Sequence, residues 1–265
     1  MSILNKNQNA RREKIRQIRV AWYRKKIGHT VIPLLERAIG MPINHCRVLS
    51  VGTGGGEDVE VLDHLGADSV GVDIDKQNAP FWLSKGLECI LADGRHLPFK
   101  ERSFDCVIAI EIIEHVGQEK KGMMRRLERK EFAKELMRIC GKGGGVFLST
   151  PNKKFPIDIA HTGMDRDIVG GLRVGGLRFH SPWESFTVSF EELRELFNEK
   201  EGGTSIFLVS PLGYVNWDWE FFMKHALIKY IVFPIGRLWI KLLNKFSCLR
   251  VSFLNPHLIL IAKVI

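Results

Sequence analysis

The five-residue segment EIIEH contains two carboxylates and one imidazole, at Glu111, Glu114 and His115. If Glu111 opens a helical turn, Glu114 at i+3 and His115 at i+4 project from the same side. Side chains so placed can form an open site for Mg²⁺, Mn²⁺ or Zn²⁺. His115 can instead act as a general base toward an oxygen nucleophile. A structural role is the third alternative, and Glu111 is expected to line the site in each case.

A glycine-rich turn is the second feature that could do chemistry. Gly52, Gly54 and Gly56 follow an apolar run in VLSVGTGGGEDVEVL. Residues without a Cβ let the backbone bend sharply and approach a ligand closely, and the helix start beyond the turn offers free N–H groups. Asp73 ends the next apolar run, GVDID, where a carboxylate can accept hydrogen bonds from ribose hydroxyls. The spacing predicts a cofactor site, although glycines alone do not identify the cofactor.

The order of four motifs narrows the choice of cofactor. The glycine turn, GVDID, LADGRHLPF and RSFDCVIAIEIIEHV together resemble class I S-adenosylmethionine-dependent methyltransferases across roughly residues 45–150. The resemblance implies that the glycines hold the methionine part of S-adenosyl-L-methionine, that Asp73 binds its ribose, and that Asp93 accepts from its adenine amino group. The cofactor-binding residues so implied are Gly52, Gly54, Gly56, Asp73, Ile74, Asp93, Gly94 and Glu111. Many relatives carry an acid where this chain has Ser50, a departure that would weaken or reposition the methionine end.

The catalytic residues follow from a narrower resemblance. ExxEH, with STPN at 149–152, is similar to ubiquinone-pathway O-methyltransferases, and ExxEH also resembles small-RNA 2′-O-methyltransferases; in both groups it binds a metal. In the RNA enzymes a further histidine arrives from the loop after strand five, and His180 is the best match here, with His161 second. The resemblance therefore implies the catalytic residues Glu111, His115 and His180, and the metal ligands Glu111, Glu114, His115 and His180. Asn152 either orients substrate or forms a turn.

Alternating strand and helix patterns must position these residues. The predicted strands are Arg47–Val51, Ser69–Asp73, Glu88–Ala92, Phe104–Ile110 and Gly145–Ser149, and the clearest predicted helices are Glu57–Leu65 and Lys120–Ile139. We expect the last two strands, Ile206–Val209 and Leu258–Ala262, to pair antiparallel. The pattern and the resemblance predict the α/β class, with a Rossmann-like, seven-stranded, mostly parallel sheet, helices on both faces and an antiparallel last strand.

Three further segments frame this domain. Residues 1–40 are predicted to be a basic helical extension, and residues 41–265 the methyltransferase domain. Within it, residues 152–189 are expected to form an irregular lid and residues 212–250 an aromatic, basic helical insertion. The arginines of the lid, Arg166, Arg173 and Arg178, either clamp an anionic substrate or are solvated charges.

Charge is concentrated at the two ends of the chain. The net charge of +9 comprises +8 in residues 1–40, −6 in residues 41–220 and +7 in residues 221–265. Such ends suit an anionic membrane surface or a nucleic acid. The scattered cysteines and the lack of a signal-peptide pattern favour a cytoplasmic protein, peripheral on the inner face of a membrane.

These observations favour O-methylation of one of several acceptors: a small molecule, a lipid-linked compound, or a sugar or polysaccharide precursor. An RNA 2′-O-methyltransferase is the alternative enzyme, supported by the charge and by the Glu/Glu/His pattern. A non-catalytic cofactor-binding scaffold, suggested by Ser50, is the alternative from another class.

Overall fold

The computed structural model describes residues 20–21, 23–158, 161, 171–174, 177–180, 185–197, 204–208, 230–231, 233–246 and 252–265. The strands are β1 (Arg47–Val51), β2 (Asp68–Asp73), β3 (Cys89–Leu91), β4 (Phe104–Ile110), β5 (Cys140–Pro151), β6 (Ile157–Asp158), β7 (Leu172–Val174), β8 (Leu177–Phe179), β9 (Thr204–Leu208) and β10 (His257–Val264). The α-helices are α1 (Ile32–Ile39), α2 (Glu57–His64), α3 (Ala79–Lys85), α4 (Gly122–Ile139), α5 (Phe190–Leu196) and α6 (Phe233–Lys245).

Short helical elements connect several of these. A π-helical turn, Ile27–Val31, leads directly into α1, and 3₁₀ turns occupy Ile43–His45, Lys76–Asn78 and Ser252–Leu254. Parts of the predicted insertions, including residues 212–229 and Arg166, lie outside the described residues.

The main sheet has the strand order β3-β2-β1-β4-β5-β10-β9. Neighbouring strands from β3 to β5 are parallel, and β10 runs antiparallel to both β5 and β9. Ile206 pairs with Ala262 and Leu208 with Leu260, so β9 and β10 form the antiparallel pair expected for the last two strands. The predicted fold class, a mostly parallel Rossmann-like sheet with an antiparallel last strand, is confirmed.

Helices cover both faces of this sheet. On one face Phe132 and Leu136 of α4 and Leu193 of α5 are buried against the strands. On the other face the π-turn and α1 bury Ile27 and Leu35 against the sheet, together with residues from α2. The strands are buried on both sides, which explains why they appear in the sequence as continuous apolar runs rather than alternating ones.

The basic segment before residue 40 is part of this packing. Residues 20–21 and 23–26 are helical, and Lys26 is buried beside Ile27 and Val31. Helix α1 begins with Pro33 in its first turn and ends at Gly40, which has a left-handed φ of +77°. The described part of the predicted extension therefore forms one layer of the domain.

The segment predicted to be an irregular lid contains a small second sheet. Strands β6, β8 and β7 lie in that order and pair antiparallel. Their lengths of two and three residues are too short for the alternation that reveals a strand in sequence, so the expectation of an irregular stretch was wrong for these residues.

Candidate active site

A cavity of about 690 Å³ opens at the carboxyl ends of β1, β2 and β4. The chain passes from β1 outward to β3 and then returns to β4 on the other side of β1, so this edge is the topological switch point where open α/β sheets bind ligands. Several predicted cofactor residues line the cavity: Gly52, Asp73, Ile74, Asp93 and Gly94. His115 and the segment 116–120 form another part of its wall.

The glycine turn at the cavity floor is fixed by contacts along its length. The N–H groups of Gly52 and Thr53 both donate to the carbonyl of Val72, at 2.8 and 3.1 Å. The N–H of Gly54 donates to the Asp73 carboxylate at 2.7 Å. The indole N–H of Trp82 donates to the carbonyl of Gly54 at 2.7 Å. The cradle is therefore preorganised by β2 and α3.

Two of the glycines cannot be replaced without a clash. Gly52 and Gly56 have left-handed φ angles of +78° and +81°. A Cβ on Gly52 would lie 2.7 Å from side-chain carbons of Ile112, and one on Gly56 would lie 2.7 Å from Leu87. The sharp bend predicted for these glycines is found, and the groups that exclude a Cβ are side chains of the same chain; close approach to a ligand stays a prediction.

The two strand-end acids have different surroundings. Asp73 holds the glycine turn through Gly54 and also accepts from the N–H of Asp75 at 2.8 Å. Asp93 is paired with the guanidinium of Arg95, which lowers the pKa of its carboxyl. Asp93 also accepts from the backbone N–H of Arg95 at 2.9 Å, so much of its acceptor capacity is used within its own turn. The roles of both acids toward a nucleoside remain predictions.

Ser50 lies beneath the glycine turn and is 1% exposed. Its hydroxyl donates to one oxygen of the Asp58 carboxylate, and the hydroxyl of Thr53 donates to the other. Asp58 comes from the first turn of α2 and is 3% exposed. Burial raises the pKa of Asp58 to about 6, although these hydrogen bonds oppose the shift. A buried carboxylate therefore stands next to Ser50 although the strand itself carries none.

The EIIEH segment does not begin as the helical turn that the spacing suggested. Glu111 has a φ of +53°, in the left-handed region that favours glycine. Tight turns follow, with the N–H of His115 bonded to the carbonyl of Ile112 at 2.9 Å. The side chains of Glu111 and Glu114 consequently meet different partners. A non-glycine residue strained at the end of a strand is a frequent feature of functional sites.

Glu111 is paired with Lys26, a cation from the helical residues 23–26 that precede the π-helical turn. Nζ of Lys26 lies 2.6 Å from Oε1 of Glu111, and Nε2 of His257 lies 3.7 Å from the same oxygen. Burial acts to raise the pKa of Glu111, but Lys26 and His257 outweigh it and lower that pKa to about 2. Burial lowers the pKa of Lys26, and the ion pair opposes that shift. Glu111 is thus a carboxylate, with 30% of its side chain exposed.

Glu114, His115 and His161 form a second cluster. One ligand atom from each lies within 4.8 Å of the other two. Thr150 donates to Oε2 of Glu114 at 2.9 Å, whereas the buried Oε1 accepts no hydrogen bond among the described residues and has Nε2 of His161 at 3.8 Å. Burial raises the pKa of Glu114 to about 7, against the effect of His161. Burial also lowers the pKa of His115.

His161 is oriented by a carboxylate behind it. Its Nδ1 lies 2.8 Å from Oδ2 of Asp158, which also pairs with Arg178. Burial acts to lower the pKa of His161, but Asp158 outweighs it and the pKa is raised. An imidazole bonded to a carboxylate through one nitrogen presents the other in a fixed direction, as in many metal sites.

The structure separates the other predicted residues from this cluster. Nδ1 of His180 lies 3.4 Å from the hydroxyl of Thr187, and His180 is not part of the cluster that contains His161. Arg178 is fully buried in its pair with Asp158, so it is neither a solvated charge nor free to clamp a substrate. Asn152 is buried; its amide donates to the carbonyl of Asn255 at 2.7 Å, and its Oδ1 accepts from the N–H of Lys154 at 3.0 Å, the contact expected of the turn alternative.

Several residues of the site could not be predicted from sequence motifs. Lys26 and His257 come from segments distant in sequence from Glu111, and no local pattern links them. Asp58 lies within the glycine motif, in the first turn of α2, and no role was predicted for it. Its closeness to Ser50 could have been noticed, because the turn folds the start of α2 back over the end of β1.

Comparison with known proteins agrees with this geometry. Residues 49–148 match a family model described as a methyltransferase domain. The chain is 31% identical over 123 residues to a ubiquinone biosynthesis O-methyltransferase of Pelagibacter ubique, covering 44% of this chain and 47% of the relative. It is 27% identical over 205 residues to the mitochondrial ubiquinone biosynthesis O-methyltransferase of Mus musculus, covering 71% of this chain and 50% of the relative. The chain thus spans about half the length of these relatives.

The fold is similar to a solved structure. An S-adenosylmethionine-dependent methyltransferase from Clostridium acetobutylicum matches with a TM-score of 0.54 and 12% identity, covering 91% of this chain and 92% of that one. Such low identity supports the architecture alone. The domain model, the related sequences and the strand order agree: residues 49–148 are similar to a methyltransferase domain, and the fold is that of S-adenosylmethionine-dependent methyltransferases.

Proposed function

We propose that the protein transfers a methyl group from S-adenosyl-L-methionine to an oxygen of a small-molecule acceptor, as the names of its relatives suggest for them. The observation that carries the proposal is the cavity at the switch point, where the glycine turn and Asp73 meet the EIIEH segment. Its volume lies within the range of ligand pockets, about 300–1,000 Å³. A Cβ on Gly52 would meet the side chain of Ile112, which also lines the cavity, so the packed turn at this wall requires glycine.

Different residues of the chain would bind the cofactor and accept the proton of the acceptor hydroxyl. Bound S-adenosylmethionine supplies an activated methyl group with a sulfur leaving group. The turn at 52–56 and Asp73 would fix the cofactor, and Ile74, 67% exposed at the cavity wall, offers an apolar face to its base. His115 lines the same cavity and, in the absence of a bound cation, is the group placed to accept a proton from an acceptor hydroxyl. Walls that exclude water favour alignment of the two reactants.

We also propose a divalent cation held by Glu114, His115 and His161. Carboxylate and imidazole donors suit Mn²⁺ or Zn²⁺, with Mg²⁺ less suited to two nitrogens. The buried Oε1 of Glu114, which accepts no hydrogen bond among the described residues, fits a ligand role. Asp158 orients His161 as an outer partner. A cation there would lower the pKa of an acceptor hydroxyl. In this arrangement Glu111, neutralised by Lys26, and His180 are not ligands.

Calorimetric titration of the metal-stripped protein with Mn²⁺ and Zn²⁺ tests this assignment. We expect one site, lost in His161→Ala and retained in His180→Ala, the matched control from the same segment. Retention of the site in His161→Ala with loss in His180→Ala would support the ligand set expected from sequence instead. Unchanged methyl transfer after chelation would leave Glu114 without a metal role.

A membrane-linked acceptor is the finer part of the proposal. Helix α6 is anchored by buried Leu243 and by Trp239, whose indole donates to the carbonyl of Leu254 at 3.0 Å. Ile235 and Leu238 are 62% and 58% exposed. The exposed cations Arg237, Lys241 and Lys245 share this helix, which contains no acid. A helix surface that combines apolar side chains with cations, and has no acidic side chain, fits the surface of an anionic bilayer. Among the described residues, no helix combines the length and apolar character needed to cross a bilayer.

Flotation with vesicles of phosphatidylcholine, alone or with phosphatidylglycerol, tests the membrane contact. We expect binding to the anionic vesicles that is weakened in the double variant Ile235→Asn/Leu238→Asn. A double variant of the exposed apolar residues Met123 and Met124 on α4 provides the control for loss of surface hydrophobicity. Equal flotation of both variants would remove α6 from the proposal.

The methyl acceptor is identified by incubating the protein with labelled S-adenosylmethionine and separate lipid, aqueous and RNA fractions of a cell extract. Label in a hydroxylated lipid or quinone-like compound supports the proposal. Label in RNA would favour the 2′-O-methyltransferase alternative, and cofactor binding without transfer would favour the scaffold. Failure of Asp73→Ala to weaken cofactor binding would count against the site itself.

A further inference from the structure

A buried carboxylate couples the end of β1 to the glycine turn. Asp58 accepts hydrogen bonds from Ser50 and Thr53, one on each carboxylate oxygen, and from the N–H of Val59 at 2.9 Å. All three side chains of this cluster are nearly inaccessible, at 1% for Ser50, 5% for Thr53 and 3% for Asp58. A carboxylate is costly to bury, so its retention at this position calls for a role.

The cluster lies directly behind the ligand-facing turn. Thr53 stands between Gly52, which lines the cavity, and Gly54, whose N–H is bonded to Asp73. The N–H of Thr53 is held by Val72 and its hydroxyl by Asp58, so the residue is clamped from two elements. Asp58 also ties the start of α2 to β1 through Ser50. Loss of the carboxylate would free both the turn and the helix start that follows it.

We propose that Asp58 is a positioning residue for the cofactor cradle, acting through Thr53 and Ser50 without touching the ligand. The proposal rests on the S-adenosylmethionine site described above. Preorganised backbone groups bind a ligand tightly because little ordering is required when the ligand arrives. Removal of the carboxylate should therefore weaken ligand affinity while the protein remains folded.

An exchange of side chains gives the sharpest test. Asp58→Ser removes the carboxylate. The exchange variant Ser50→Asp/Asp58→Ser places a carboxylate at position 50 and a hydroxyl at position 58, so the contact and the total side-chain volume are kept. Thr53→Val removes the hydroxyl that donates to Asp58 and keeps the shape of the side chain. Asp63→Ser is the matched control, because Asp63 also bonds a serine, Ser69, but lies at the far end of α2. Calorimetry with S-adenosylmethionine and S-adenosylhomocysteine gives Kd and the fraction of competent protein.

We expect Asp58→Ser and Thr53→Val to raise Kd about tenfold, the equivalent of one hydrogen bond to a charged group, with stoichiometry unchanged. The exchange variant should recover most of that loss, and Asp63→Ser should match the wild type. If Asp58→Ser does not fold, Thr53→Val and the exchange variant decide. Wild-type affinity in Thr53→Val, or no recovery in the exchange variant, would overturn the proposal. Absence of binding by the wild type would overturn the proposed function and this inference with it.

Discussion

Replacement of Lys26 by methionine tests how much its ion pair with Glu111 stabilises the carboxyl edge of the sheet. The Lys26 side chain is 2% exposed, and its Nζ lies 2.6 Å from Oε1 of Glu111. Methionine keeps much of the apolar volume but removes the ammonium group. Glu111 would then keep its charge without its nearest cation, and removal of one partner of a buried pair is strongly destabilising.

The magnitude follows from the carboxylate's protonation. Lys26 and His257 lower the pKa of Glu111 from 4.5 to about 2, against burial. A shift of about 2.5 pKa units corresponds to about 3.4 kcal/mol. Since 30% of the Glu111 side chain is exposed and His257 remains, we expect Lys26→Met to lower the free energy of unfolding by about 2 kcal/mol at pH 7.

Urea unfolding of three variants measures this effect. Lys25→Met is the matched control, because Lys25 is the exposed neighbour on the same helix. Lys26→Met/Glu111→Gln removes both charges and should recover part of the loss. The stability due to the lowered pKa of Glu111 is present above pH 4.5 and lost as the pH falls toward 2, so the wild type and Lys26→Met should converge in acid. Equal losses in Lys25→Met and Lys26→Met at pH 7 would refute the reasoning.

Three further changes test other parts of the site. Burial raises the pKa of Asp58 from 3.8 to about 6, so the folded protein binds an extra proton between these values. The wild type should therefore lose up to about 3 kcal/mol relative to Asp58→Asn as the pH rises through about 6, and parallel pH profiles of unfolding would contradict this. Gly56→Ala should weaken S-adenosylmethionine binding at least tenfold, because its Cβ would clash, whereas Gly86→Ala has a similar backbone and open space. If Gly56→Ala and Gly86→Ala lowered the melting temperature and the S-adenosylmethionine affinity equally, the clash at Gly56 would be excluded as the cause of the weaker binding. Arg178→Met should lower the free energy of unfolding by about 3 kcal/mol by leaving Asp158 buried without its guanidinium, and a loss below 1 kcal/mol in urea unfolding would show that Asp158 does not need it.

The sheet could be predicted because its determinants are local. Phe104–Ile110 has the predicted bounds, and His257–Val264 contains the predicted Leu258–Ala262, since buried strands appear as uninterrupted apolar runs. The glycine turn was equally predictable, because positive φ at Gly52 and Gly56 requires glycine. Strand β5 proved longer than Gly145–Ser149, at Cys140–Pro151, since its glycine-rich start pairs across a bulge opposite Phe104 and Cys106. Apolar pattern alone does not reveal such an extension.

The partners within the candidate site could not be predicted in the same way. The spacing in EIIEH suggested one face of a helix, but the left-handed backbone at Glu111 directs it toward Lys26, 85 positions away. The choice between His161 and His180 depended on short strands and turns after β5, where no periodic pattern operates. Long-range charge pairing of this kind is set by the packed fold, because any of several cations could satisfy a carboxylate in the unfolded chain.

The buried acids near the carboxyl edge of the sheet show where an additional cation would be most favourable. Glu111 has Lys26 at 2.6 Å, and Asp158 has Arg178 at 2.5 Å. Glu114 has His161 at 3.8 Å, beyond hydrogen-bond distance, and that imidazole is already bonded to Asp158. Coulomb attraction grows as distance and effective dielectric fall, so Glu114 is the least compensated of the three. Because His115 connects Glu114 to the cavity wall, this weakly compensated carboxyl lies where an acceptor hydroxyl or a metal ion would arrive.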